Sequence, residues 1–235
     1  MSADTISVPK SKSNRSKENI LISAGVPSLM IAYGIYSLDN KELQKIDNNT
    51  DNKVHKNKHL MYNSLDDYLQ FSPAVAAFGL NLMGVKSKHK LSDMAIIYAL
   101  SNTLETGIIY STKTATKRMR PDGSKDNSFP SGHTATAFVA AEFLYQEYKD
   151  QSVWIGVGGY TMASLIGISR ILNDKHWVSD VIAGAGIGII STKIVYWTYP
   201  YMQNIFSRKK TKRTQTFILP SYNNKTFGLN FSYRF

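Results

Sequence analysis

The sequence predicts an all-α protein: a helical bundle of about six core helices that spans a membrane, with a short β-hairpin-like tail. Three observations carry this expectation. Apolar residues collect into runs of helical length through the middle of the chain. Polar residues are segregated to both ends and to residues 39–70. Residues 214–235 then switch to short alternating segments, TFILPSY and FGLNFSYRF, around Asn223-Asn224-Lys225, which is a hairpin pattern.

The elements follow in order. Residues 1–19 are rich in Ser, Lys and Asn and hold no apolar core of a signal peptide, so they read as a disordered basic arm. Residues 20–38 carry no charge and are long enough to cross a bilayer as a helix, which Pro27 kinks rather than forbids. Residues 39–70 read as a loop with short helical pieces. Residues 71–85 form a shorter apolar segment, followed by the basic turn KSKHK at 86–90. A third helix covers 91–112, with Asp93 near its start and Glu105 inside it. Arg-Pro, Asp-Gly and Phe-Pro turn signals occupy 113–130. A fourth helix runs from Ser131 to about Tyr148, and 153–172 and 177–199 are the fifth and sixth. Small residues in the last two (Gly156, Gly158, Gly159; Gly184, Gly186, Gly188) permit close helix contact. The expected organisation is a basic arm at 1–19, a helical domain at 20–199, and a basic linker with a β-like tail at 200–235.

Charge adds to the picture. The 235 residues carry 28 Lys and Arg against 17 Asp and Glu, a formal net charge of +11, with a pI of about 9.6. That favours anionic partners. The absence of cysteine excludes disulfides, thiolate metal sites and cysteine nucleophiles. Six spans place 1–19, 86–90, 149–152 and 200–213 on one side. That side holds Lys10, Lys12, Arg15, Lys17, Lys86, Lys88, Lys90, Lys149, Arg208, Lys209, Lys210, Lys212 and Arg213, and is cytoplasmic by the positive-inside rule. Glu105 and Glu142 must then face the bundle interior. The competing expectation is a soluble helical bundle whose buried helices are apolar all round.

Three segments carry chemistry together. Lys113 is followed after six residues by Arg120-Pro121; Pro130-Ser131-Gly132-His133 opens the fourth helix; and Ser169-Arg170, five residues, His176, three residues, Asp180 leads into the sixth. Lys113, Arg120 and Arg170 are three cations able to surround a phosphate, the arginines with paired planar donors. Ser131 suits a helix N-cap, and Gly132 lets backbone N–H groups approach an anion. His176 and Asp180, four apart, share one helix face. The carboxylate is expected to accept the Nδ1 proton and leave Nε2 free to attack phosphorus, while His133 protonates the departing alkoxide. Singly, each piece is weak: basic loops, Ser-Gly caps and His-Asp pairs on helices are common. Their convergence at one predicted end of the bundle is what points to a site. His55, His59 and His89 lie in Lys-rich stretches and read as surface residues. Lys117 and Arg118 read as added field strength, and Asp122 and Lys125 as loop-shaping. Trp177, Tyr196, Trp197 and Tyr199 are candidate bilayer-interface aromatics or ordinary packing residues.

The three segments resemble the complete three-part signature of the type 2 phosphatidic acid phosphatase superfamily, which also includes bacterial acid phosphatases and vanadium haloperoxidases. The resemblance covers roughly residues 70–199. It implies a helical bundle with a four-helix core and a phosphohistidine mechanism. Lys113, Arg120 and Arg170 would hold phosphate oxygens, with Ser131 and Gly132 adding donors. His133 would be the general acid, then the base for water. His176 would be the nucleophile and Asp180 its orienting carboxylate. No metal and no cofactor is implied.

Members with several spans act on lipid phosphates, so the expected substrate is an anionic phospholipid, a polyprenyl (di)phosphate or a lipid A phosphate. Nucleic acid is not expected as a partner, and no oligomeric state is implied. The expected location is the bacterial inner membrane with the site facing the periplasm; a periplasmic or outer-membrane-associated protein is the alternative, with the β-like tail as a docking element. Rival functions are a soluble periplasmic acid phosphatase on small phosphomonoesters, a vanadate-dependent haloperoxidase, and a non-enzymatic basic protein that binds anionic lipid or nucleic acid.

Overall fold

A computed structural model describes the backbone of residues 18–56, 66–210, 215–223 and 226–234, and the side chains of 23–54 and 67–203. Most of the basic arm and the side chains of His55 and His59 lie outside the described residues. The helices are α1 (Glu18–Ser37), α2 (Lys41–Lys56), α3 (Asp66–Leu69), α4 (Ser72–Leu82), α5 (Leu91–Thr116), α6 (Gly132–Tyr148), α7 (Val153–Leu172) and α8 (Val178–Lys210). Strands β1 (Gln215–Asn223) and β2 (Thr226–Arg234) follow. By its internal contacts the chain divides into two units, Met1–Val195 and Tyr196–Phe235.

The first unit is built around α6. Its small residues Ala135, Ala137, Ala140 and Ala141 are fully buried, and α4, α5 and α7 all pack against it. Ala137 and Ala141 meet Ala163 and Ile166 of α7. On another side, Phe143 stacks at 5.5 Å from Phe78 of α4 and 5.1 Å from Tyr98 of α5. Helix α8 reaches α6 through two glycines. A Cβ on Gly184 would run into the carbonyl oxygen of Ser131, and one on Gly188 into that of Ala135. Glycine is the residue that lets the backbones approach this closely. Gly158 has nothing within 4 Å of such a Cβ, so it is not a packing glycine.

Residues 39–70 differ from the expected loop, because 16 of them form helix α2. Its start is capped by Asn40, whose Oδ1 accepts the N–H of Glu42 at 2.9 Å and of Leu43 at 3.1 Å. Few apolar residues mark the buried face, and the residue that α2 buries best is an acid, Asp47. An apolar-period signal is therefore faint here. His89 also departs from a surface role: its Nδ1 lies 2.8 Å from Glu147, whose side chain is fully buried.

The bundle is apolar on its outside. Val26, Leu29, Val75, Ile96, Val157 and Leu165 are exposed along α1, α4, α5 and α7. Tyr36 and Tyr110 at one end and Trp154 at the other are exposed aromatics of the kind found at bilayer interfaces. Among the described residues, Val153–Leu172, mostly exposed, and Val178–Gln203, mostly buried, are long and apolar enough to cross a membrane. Helix α4, expected as a shorter segment, has 11 residues.

The two acids expected inside are inside. Glu105 is 2% exposed and Glu142 0%. Glu142 accepts hydrogen bonds from Gln146 Nε2 at 2.6 Å, Lys193 Nζ at 2.8 Å and the Tyr160 hydroxyl. A charge that deep is tolerable only when paired and hydrogen-bonded.

The second unit holds the end of α8 and the hairpin. Strands β1 and β2 pair antiparallel from Gln215↔Arg234 to Asn223↔Thr226. Pro220, opposite Leu229, is tolerated because each strand of a two-stranded ribbon has an unpaired edge.

Candidate active site

All three sequence segments meet at one end of the bundle. Lys113 sits in the last turn of α5 and Arg170 in the last turn of α7. Ser131 is the residue before α6, and Asp180 lies in the first turn of α8. Helix α5 stops at Lys117, which takes the left-handed conformation (φ 46°) and bonds its N–H back to the Lys113 carbonyl at 3.1 Å. This reversal sends Arg118–Pro130 back across the helix ends. Main-chain bonds then close that loop on itself and join it to the other segments. Ser128 N–H donates to the Arg118 carbonyl (2.8 Å), Asp122 N–H to Asp174 (3.2 Å) and Ser131 N–H to Asp180 (3.0 Å).

The three cations are gathered close enough to act on one another. Burial, with Arg120 and Arg170 nearby, pushes the Lys113 ammonium down to about 8, against the opposing pull of Asp180. Like charges held this close by a fold are an arrangement suited to a polyanion. Lys113 Nζ donates to the Asn127 carbonyl, which fixes its reach. Among the described residues, Arg120 Nε is buried with no hydrogen-bond partner.

His176 is 2% exposed. Its Nδ1 is 2.7 Å from the Ser128 carbonyl oxygen, and the Asp180 carboxylate is 3.7 Å away. The expected direct Nδ1-to-Asp180 bond is thus replaced by a main-chain acceptor. The reason is local: Asp180 Oδ2 already accepts the Ser128 hydroxyl and the Trp177 N–H (2.9 Å). The carboxylate holds the peptide segments that hold the imidazole. A carbonyl can only accept, so Nδ1 carries the proton and Nε2 the lone pair. Burial pushes the His176 imidazole down to about 4; Asp180 opposes this, while Lys113 and Arg170 add to it. His176 is therefore neutral at neutral pH.

Sequence reading missed what stands behind Asp180. Arg118 Nη1 donates to Asp180 Oδ1 and to Ser179 Oγ, both at 2.7 Å, and Nη2 to Asp47 Oδ2 at 2.8 Å. Asp47, from α2, also accepts the Ser179 N–H at 3.0 Å and its hydroxyl at 2.6 Å. The guanidinium lies over the Trp177 ring, 5.5 Å from its centroid, and Trp177 Nε1 donates to the Met119 carbonyl at 2.9 Å. Arg118, read as added field strength, is the bridge between two buried carboxylates. Asp47 lay in a stretch read as loop, where one acid among many gave no sign.

At the start of α6, Ser131 is fully buried and occupies the N-cap position, but its Oγ pairs with Thr134 Oγ1 at 2.8 Å rather than with a backbone N–H. Gly132 meets only Ile109 Cγ2, at 3.7 Å from a notional Cβ, so protein packing does not demand glycine there. His133, in the first turn, has Nε2 2.6 Å from Asp67 Oδ1 of α3. Asp122 and Lys175 pair at 2.8 Å and tie the loop to the turn before α8.

Comparison with known proteins agrees with this architecture. Residues 94–204 match the PAP2 superfamily. The chain is 42% identical over 137 residues to the lipid A 1-phosphatase of Porphyromonas gingivalis, covering 58% of this chain and 31% of that protein. It is 27% identical over 185 residues to the lipid A 4'-phosphatase of Helicobacter pylori, covering 72% and 83%. The chain thus spans about a third of the length of the first of these. In fold it is similar to a transmembrane PAP2 type phosphatidylglycerolphosphate phosphatase from Bacillus subtilis, with a TM-score of 0.53 and 19% identity over 83% of this chain and all of that one. Lys113, Arg120, Ser131, Gly132, His133, Arg170, His176 and Asp180 all fall inside the matched stretch. The stretch that is similar to the PAP2 superfamily, residues 94–204, thus holds the whole candidate site.

Proposed function

We propose that this protein is a lipid phosphatase that works through a phosphohistidine on His176. The observation that carries the reading is the meeting of Lys113, Arg120 and Arg170 around a buried, neutral His176 whose Nδ1 is committed to a carbonyl. In this reading the three cations and the α6 N-terminus bind the phosphoryl oxygens. The Nε2 lone pair forms a bond to phosphorus as the bond to the leaving oxygen breaks, and that oxygen takes a proton from His133. Water, deprotonated by His133, then displaces the histidine and releases phosphate. Asp180 keeps Ser128 and Trp177 in place so that the ring is aimed.

Lipid A phosphate is the first substrate to test, because the P. gingivalis and H. pylori relatives bear that name. Phosphatidic acid, phosphatidylglycerophosphate and polyprenyl diphosphate complete the class. The exposed apolar flanks of α1, α4, α5 and α7 support access from a bilayer. The catalytic end faces the periplasm in this proposal, since Lys86, Lys88, Lys90 and Lys149 lie in the turns at the other end.

The test is a phosphate-release panel of these lipids and of water-soluble monoesters, run in detergent with EDTA, with wild type beside His176→Ala. The expected result is release from lipid phosphates that EDTA leaves unchanged and His176→Ala abolishes. Preference for soluble monoesters over every lipid would overturn the lipid assignment. Full activity in His176→Ala would overturn the mechanism.

A further inference from the structure

The short helix α3 brings a carboxylate to the second histidine. Asp67 Oδ1 lies 2.6 Å from His133 Nε2, with side-chain exposures of 56% and 31%. Asp67 stands outside the family-matched stretch, which begins at residue 94. Helix α3 packs on α6 and α7, and the Gln70 side chain donates to the Asp67 carbonyl at 2.8 Å, fastening the turn that presents the acid. Resting on the phosphohistidine reading, we propose that Asp67 is a positioning residue for His133, holding its Nε2–H so that Nδ1 is the atom that gives and takes the catalytic proton.

The chemistry follows from the two ring nitrogens. A carboxylate accepts only, so the Nε2 proton stays on the ring through the whole cycle. In the first step the imidazolium gives its Nδ1 proton to the leaving oxygen as the O–P bond breaks and the His176 Nε2–P bond forms. In the second step neutral Nδ1 takes a proton from water as the water O–P bond forms and the P–N bond breaks. His133 returns to the imidazolium, and no outside reagent is needed. An exposed pair of this kind contributes little to folding. Its removal should therefore disturb chemistry rather than the fold.

Leaving-group dependence separates this role from a structural one. The ratio kcat/KM reports steps up to phosphoryl transfer, and a nitrophenolate leaves without a proton whereas an alkoxide does not. Wild type, Asp67→Asn, Asp67→Glu and His133→Ala are compared on short-chain phosphatidic acid in micelles and on p-nitrophenyl phosphate. The expected loss for Asp67→Asn is about 10–100-fold on phosphatidic acid, part of the ~10²–10⁴-fold worth of a general acid, and under about 3-fold on p-nitrophenyl phosphate. Asp67→Glu should recover most of the lost rate. An equal loss on both substrates, or none on either, overturns the proposal. If His133→Ala shows the selectivity and Asp67→Asn does not, the Asp67 role fails while the phosphohistidine reading stands. If His133→Ala shows no selectivity, the acid role of His133 fails and takes Asp67 with it.

Discussion

The Nδ1 atom of His176 donates to the main-chain carbonyl of Ser128 at 2.7 Å, so a residue outside the three-part signature sets the tautomer of the proposed nucleophile. Asp180 acts one step back, through the Ser128 hydroxyl and the Trp177 N–H. Its substitution by Asn keeps the shape but turns one acceptor oxygen into a donor. Asp180→Asn should lower kcat by about 10²-fold, the scale of a misaimed reacting group, with a smaller change in KM. Steady-state kinetics on p-nitrophenyl phosphate would check this; an unchanged kcat would contradict it.

Arg118 touches no predicted phosphate ligand, yet it joins Asp47 and Asp180, whose side chains are 1% and 0% exposed. Arg118→Ala strands two buried carboxylates, a change that costs about 3–5 kcal/mol. The variant should unfold at a clearly lower temperature in detergent, and its kcat should fall more than its KM rises. Arg118→Lys should rescue only part, because an ammonium lacks the planar pair of donors that spans both acids.

Lys113 gives the site a pH dependence. Its ammonium is held down to about 8, so the cation proposed to bind phosphate is lost as pH rises through that value. On p-nitrophenyl phosphate, kcat/KM should fall above about pH 8. Lys113→Arg, which stays charged, should move that fall to higher pH. Coincident alkaline limbs in the two enzymes would remove Lys113 from the binding role.

The α6–α8 contact can be probed with one methyl group. Gly184→Ala drives a Cβ into the Ser131 carbonyl oxygen at the start of α6. Overpacking of this kind costs about 1–3 kcal/mol, and here it also displaces the Ser131–His133 turn. Both the unfolding temperature and kcat should drop. Gly158→Ala, with nothing within 4 Å, should leave activity unchanged and raise stability slightly.

The helical class was legible because apolar runs of helical length need no partner to be seen: α7 was expected at 153–172 and found there. The hairpin was legible from alternation, and its register closes between Asn223 and Thr226. That the segments holding the eight candidate residues meet at one end was legible, because their spacing is set by helix ends and turns. What stayed hidden was supplied by polar residues whose partners are distant in sequence. Asp47 and Asp67 are 132 and 66 residues from Ser179 and His133. Nothing local distinguishes either from the other acids of a polar stretch. Arg118 was visible but misread, since a loop arginine between two candidate phosphate ligands looks like one more cation until its carboxylates are in view. The Ser128 carbonyl is main chain, and no side-chain pattern reports it.

Alkaline-quenched enzyme, caught during turnover of p-nitrophenyl phosphate and mapped by mass spectrometry, tests the central claim most directly. Phosphate should be found on His176, should vanish in His176→Ala together with activity, and should accumulate in His133→Ala, where attack by water is slowed. Steady turnover with phosphate on no histidine, or on one other than His176, would contradict the account.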